Sequence, residues 1–245
     1  MESRGNPFIE NALAKNRTIY DNKTMTLYST IIKILFLLTV LIISFYSTDI
    51  IVSNNNFNLW YICIASSVIA FLLAIITKIN PILAKITSIF YSISQGIMLG
   101  TISKILDSNY PQVVVTSVFL TITVLIIILI IYRSIIDLSE NLANLIAIGI
   151  YSIGLMYLLS FLLNVFGVNV PVFSSGIFGI VFNLIVIVLA IFNLTTDYKH
   201  VIIGVNYGAA KYMEWYYALG IIISLIWLYV EIIGLLEKII YYVKK

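Results

Sequence analysis

The sequence is short of charge. Only 10% of its 245 residues are Asp, Glu, Lys or Arg, and 61% are hydrophobic, whereas soluble domains carry about 25% charged and roughly 45–50% apolar residues. That composition, with a mean hydropathy of +1.07, excludes a water-soluble globule. Long polar stretches are also lacking. No loop exceeds roughly 20 residues, too few for a globular domain of about 50 or more. The single cysteine, Cys63, lies inside an apolar run, so neither an intrachain disulfide nor a thiolate metal cluster can form. The single histidine, His200, excludes an HExxH metal site, and no GxSxG or Walker pattern or Ser-His-Asp set can be nominated. Intramembrane proteolysis by paired Asp residues needs two acids at comparable depth, and only Glu231 is clearly deep. No enzyme is expected. The first 27 residues hold mixed charges and no apolar core, so no cleavable signal peptide is expected either.

What the chain does have is long apolar runs. Seven are separated by polar punctuation, at about Tyr28 to Tyr46, Leu59 to Thr77, Ile82 to Ser103, Val113 to Tyr132, Leu142 to Leu163, Ile177 to Thr196 and Trp215 to Leu236. Each approaches the ~20 residues that a helix needs to cross a ~30 Å hydrocarbon core. The third is the softest, because Asn80, Pro81 and Lys85 crowd its start. Barrel strands would alternate in polarity, but ILFLLTVLIISF and VVVTSVFLTITVLIIILII do not. The expected fold is an all-α, polytopic membrane helix bundle. It divides into a polar arm (1–27), a seven-helix domain (28–236) and a short basic tail (237–245). No repeat relates its halves, which argues against a transporter built from inverted repeats.

Charge sets the expected orientation. With the N-terminus in the cytoplasm, the inner segments hold Arg4, Lys15, Arg17, Lys23, Lys78, Lys85, Arg133, Lys199 and Lys211. The outer segments before the C-terminus hold only Lys104. This is the positive-inside bias. Seven crossings would place Lys238, Lys244 and Lys245 outside, against the rule, whereas a re-entrant last segment would return them. The early bias usually dominates, so seven crossings are expected.

Glu231 is the first candidate for function. It is the only charge between Trp215 and Leu236, and an acid at the centre of a spanning helix costs about 2.5–3.5 kcal/mol on insertion scales. Asp197 closes the sixth run, either as a solvated acid at the cytoplasmic mouth or as the partner of Glu231 or Glu214. Two close carboxylates disfavour joint ionisation, so such a pair would act as a proton-controlled latch. Its oxygens would suit transient Ca²⁺ better than Zn²⁺, making Asp197 and Glu231 the candidate metal ligands.

Lys33 can snorkel to the headgroups or pair with a carboxylate. Gln95, Asn183 and Asn193 are expected to be interhelical hydrogen-bonding partners, and Trp60, Trp215, Tyr216 and Tyr217 interfacial anchors. Ser88, Ser92, Gly96 and Gly100 share one helical face, a small-residue ridge for close packing within the chain or between two copies.

Several segments point to a family. NPFIENALAK (6–15), YSISQGIMLGTISK (91–104), YPQVVVTSVFLT (110–121), IYRS (131–134), DYKHVIIGVNYGAAKYMEWYYALG (197–220) and LIWLYVEIIGLLEKI (225–239) resemble the bacterial Bax inhibitor-1/YccA family. KYMEWY and LYVEIIGLL are the most specific of these. The resemblance covers nearly the whole chain. It implies six helices around the last one and a pH-sensitive calcium leak governed by two acids on the sixth and seventh helices, carried over to Asp197 and Glu231. It also implies interaction with other membrane proteins, including a membrane-bound protease.

Three departures stand out. The second acid is Glu rather than Asp, Gln95 stands where Glu is expected, and Asp197 and Glu231 are 34 positions apart, more than a facing pair requires. If the last helix starts at Tyr216, Glu231 lies ~22 Å along it, so pairing needs a re-entrant loop or a later start. The expected activity is a non-catalytic cation leak, with an interaction protein that restrains a membrane partner as the alternative. No tightly bound cofactor and no nucleic-acid partner are expected. The expected location is the bacterial inner membrane.

Overall fold

A computed structural model describes residues 24–53, 58–107, 112–135, 140–167 and 176–244. The arm up to residue 23, with its expected Asn6-Pro7 turn, and Lys245 lie outside the described residues. Among the described residues, seven helices are long and apolar enough to cross a membrane. They are α1 (Leu27–Ser53), α2 (Leu59–Ile79), α3 (Ala84–Asp107), α4 (Val113–Ile135), α5 (Glu140–Val165), α6 (Ile177–Asn206) and α7 (Met213–Lys244). Each coincides with one of the apolar runs, because in lipid a helix satisfies its backbone groups internally. The described residues form no named strand. Their only extended pairing is an isolated bridge between Thr24 and Ala210.

The turns follow local chemistry. The Asn58 side chain caps α2 by accepting from the Trp60 N–H at 3.0 Å. Asn80 ends α2, and Pro81, which lacks an N–H, opens a short 3-10 turn (Pro81–Leu83) leading into α3. The polar start of the third run is thus a tight hairpin, pinned by Thr77 Oγ1 donating to Thr87 Oγ1 at 2.6 Å. After α6, Gly208 adopts φ +64°, a left-handed conformation that glycine takes without steric cost. The chain then reverses, with the Ala209 N–H donating to the Gly204 carbonyl at 3.0 Å.

The last helix is the axis of the bundle. In its apolar stretch 61% of residues are buried, against 11% for α2 and 12% for α5. It packs on α1, α3, α4 and α6, whereas α2 leans mainly on α3 and α5 on α6. The enclosing ring is therefore thin where α2 approaches α5 and α6. The last helix is also unbroken for 32 residues. It is not a re-entrant hairpin, and the basic tail as far as Lys244 is its final turns.

Candidate functional site

Glu214 and Glu231 on α7 and Asp197 on the neighbouring α6 are each held in a network of their own. Glu214, in the first turn of α7, is fully buried. Its Oε1 accepts the Thr26 N–H at 3.0 Å, and its Oε2 accepts from Ser29 Oγ at 2.9 Å and from the Lys33 ammonium. Lys33 lies 5.4 Å from the Trp215 ring centroid, and Trp215 meets Phe36 edge to face at 5.9 Å. Lys33 is therefore paired within the bundle, and snorkelling is not its role. Trp215 serves that contact rather than a simple interfacial anchor.

Asp197 sits on α6 opposite Ser224 of α7. Its Oδ2 accepts from Ser224 Oγ and, at 3.3 Å, from Asn193 Nδ2. Asn193 also donates to Ser224 Oγ at 2.7 Å. Both donors act on Oδ2, leaving Oδ1 to neither. Glu231 lies seven residues beyond Ser224, about 10 Å further along the helix. Tyr157 Oη donates to its two oxygens at 3.0 and 3.1 Å, Trp227 Nε1 to Oε1 at 3.0 Å and Asn183 Nδ2 to Oε2 at 2.8 Å. Lys238 donates in turn to Asn183 Oδ1, so Asn183 links an ammonium to the carboxylate.

The expected latch between Asp197 and Glu231 is not formed, nor is the alternative with Glu214. The last helix begins at Met213, earlier than the start that pairing requires, so Glu231 is carried past Asp197 towards the opposite end. Glu214 is committed to Lys33. The two acids do not make a joint Ca²⁺ site, and among the described residues no three His, Cys, Asp or Glu side chains converge on a metal position. Glu231 instead ties α5, α6 and α7 together. Asn183 and Asn193 are the interhelical partners their depth implies, whereas the Gln95 Oε1 and Ser92 Oγ atoms are buried with no hydrogen-bond partner.

Asp197 also lines a cavity of about 630 Å³. Its walls come from α2 (Phe71, Ala74, Ile75, Thr77, Lys78), α5 (Tyr151), α6 (Asp197, His200) and α7 (Met213, Tyr216, Tyr217, Leu219, Gly220, Ile223). Lys78 near the end of α2 and Met213 at the start of α7 place it in the half of the bundle that holds the α6–α7 turn. Asp197 lies nine residues inside the end of α6, about 13 Å deep along its axis. Tyr216 and Tyr217 line this cavity.

A family model described as Bax inhibitor 1 like matches residues 6–240. The chain belongs to that family. No curated protein and no solved structure matches it. In this Bax inhibitor 1-like chain, the residue that meets Asp197 across the α6–α7 contact is Ser224 rather than Glu231, the partner implied by the resemblance. Ser224 had a sequence signal. It is a polar residue in the run IIISLIW, two turns before Glu231 and so on the same side of α7. The ridge Gly96–Gly100 packs against α1 of its own chain, which is the intrachain alternative of the two expected.

Proposed function

We propose that this multi-pass protein is a pH-sensitive cation leak, with Ca²⁺ as the permeant ion, in which Asp197 alone is the ion-facing carboxylate. The observation carrying this reading is that Asp197 lines the cavity while spending only one of its oxygens on Ser224 and Asn193. Ionised, it attracts a cation entering from the cavity; protonated, it does not. One carboxylate, a hydroxyl and water fall short of the 6–8 oxygens of a storage site for Ca²⁺, which suits transit. In the orientation that the Lys and Arg distribution favours, the cavity lies in the cytoplasmic half of the bundle, with the α6–α7 turn on that side of a bacterial inner membrane.

Calcium flux from liposomes containing the purified protein should rise with pH, as Asp197 loses its proton. Asp197→Asn should flatten that dependence and lower the flux at high pH. The lost attraction, about 1–4 kcal/mol for a unit charge at contact in water or near a protein surface, corresponds to roughly fivefold or more in occupancy. Glu231→Gln should keep the pH dependence while lowering the melting temperature, because that carboxylate is a helix tie. A folded Asp197→Asn protein with the full pH dependence would overturn the assignment. Absence of flux at every pH from wild-type protein would favour the interaction role with a membrane partner such as a protease.

A further inference from the structure

We propose that the cavity beside Asp197 is a binding site for a lipophilic organic cation entering from the bilayer. Between Met213 and Leu235 the central helix is buried or half-buried everywhere except at Ile223, which is 38% exposed and lines the cavity. The same wall carries Phe71 and Ile75, both exposed at membrane depth. The opening is therefore a lateral cleft, at the place where α2 leaves the central helix uncovered.

The chemistry of the walls selects the ligand. A hydrated metal ion gains nothing from Phe71, Ile75 and Ile223, but a large cation with apolar substituents buries area against them and loses little hydration. Tyr151, Tyr216 and Tyr217 also line the cleft, and aromatic rings attract positive charge. Asp197 supplies the counter-charge through the oxygen its two donors leave unused. Lys78, one residue from the end of α2, lines the same cleft. The volume suits a drug-sized molecule, for which sites of roughly 300–1,000 Å³ are usual. There is unfilled space as well, since a Cβ added at Gly220 meets no atom within 4 Å. The site stands on this geometry whether or not the protein conducts ions.

Tetraphenylphosphonium and tetraphenylborate, ions of nearly the same size and shape with opposite charge, provide the test. Equilibrium binding to the full chain in nanodiscs, with empty nanodiscs subtracted, should show saturable uptake of the phosphonium, one per chain, and none of the borate. Asp197→Asn should weaken phosphonium binding about tenfold, as expected from removing one charge partner. Gly220→Leu, which extends into open space, should abolish it at an unchanged melting temperature. If Gly220→Leu lowers the melting temperature, Ile223→Trp replaces it as the filling variant. Equal uptake of both ions would mean nonspecific partition. Preference for the borate would mean that Lys78 governs the cleft. Either result, or phosphonium binding that survives both the Asp197 and the filling variants, overturns the proposal.

Discussion

Glu214→Gln is expected to destabilise the protein by about 3–5 kcal/mol, the usual effect of removing one partner from a buried ion pair. The carboxylate is fully buried, and the Lys33 side chain is only 13% exposed. Without the anion, the Lys33 ammonium remains inside the bundle against Trp215. The Thr26 N–H also loses a charged acceptor. Thr26 directly precedes α1, whose first N–H groups have no intrahelical partner, so Glu214 neutralises the positive end of that helix as well. Lys33→Met alone should be harmful for the converse reason. The double variant Lys33→Met/Glu214→Gln should be more stable than either single one, because the two costs are those of a broken pair and do not add. Thermal unfolding in detergent measures all three, and a Glu214→Gln protein melting with the wild type would show that the pair contributes nothing.

The second large effect is expected at the α1–α3 contact. A Cβ built on Gly96 lies 2.5 Å from the Leu41 carbonyl oxygen and 2.6 Å from Ser44 Cβ, and one on Gly100 lies 2.7 Å from the Phe45 carbonyl oxygen. Backbone atoms cannot swing aside as a side-chain tip can, so even alanine forces α1 away from α3. Gly96→Ala and Gly100→Ala should each cost about 1–3 kcal/mol, and the leucine variants more. Gly154 is the internal control. A Cβ there meets nothing within 4 Å, and the change to alanine gains up to about 1 kcal/mol of helix propensity. Gly154→Ala should therefore match or exceed the wild-type melting temperature while Gly96→Ala falls below it. Equal melting of these two variants would remove the close contact as a source of stability.

The seven helices were legible because each is a continuous apolar run, and length alone separates a spanning helix from a buried strand. The site was legible one residue at a time. Asp197, Glu214, Glu231 and Lys33 each stand out as charge near or within an apolar run, yet periodicity on one helix does not say which neighbour faces it. The partners come from remote parts of the chain. Lys33 and Glu214 are 181 positions apart, and Tyr157 and Glu231 are 74 apart. The depth of Glu231 suggested a partner for Asp197, but depth is measured from whichever end the helix enters. Asp197 is near one end of the α6–α7 pair and Glu231 is nearer the other. Tyr157 and Trp227 gave no signal, since an aromatic residue in an apolar run normally reads as packing.

The separation between Lys33 and Glu214 also orders the life of the chain. Synthesis runs from the N-terminus, so α1 enters the bilayer carrying its ammonium long before the acid that neutralises it has been made. The Met25 N–H must likewise wait for the Ala209 carbonyl, which it meets at 2.8 Å in the finished protein. Until α7 arrives, α1 is a helix with an unmatched charge and an unsatisfied start, dependent on headgroups and water. The bundle therefore closes as a late event, when its last helix joins its first. A ribosome that stops short of Glu214 releases a product whose first helix remains marked as unfinished by its own lysine.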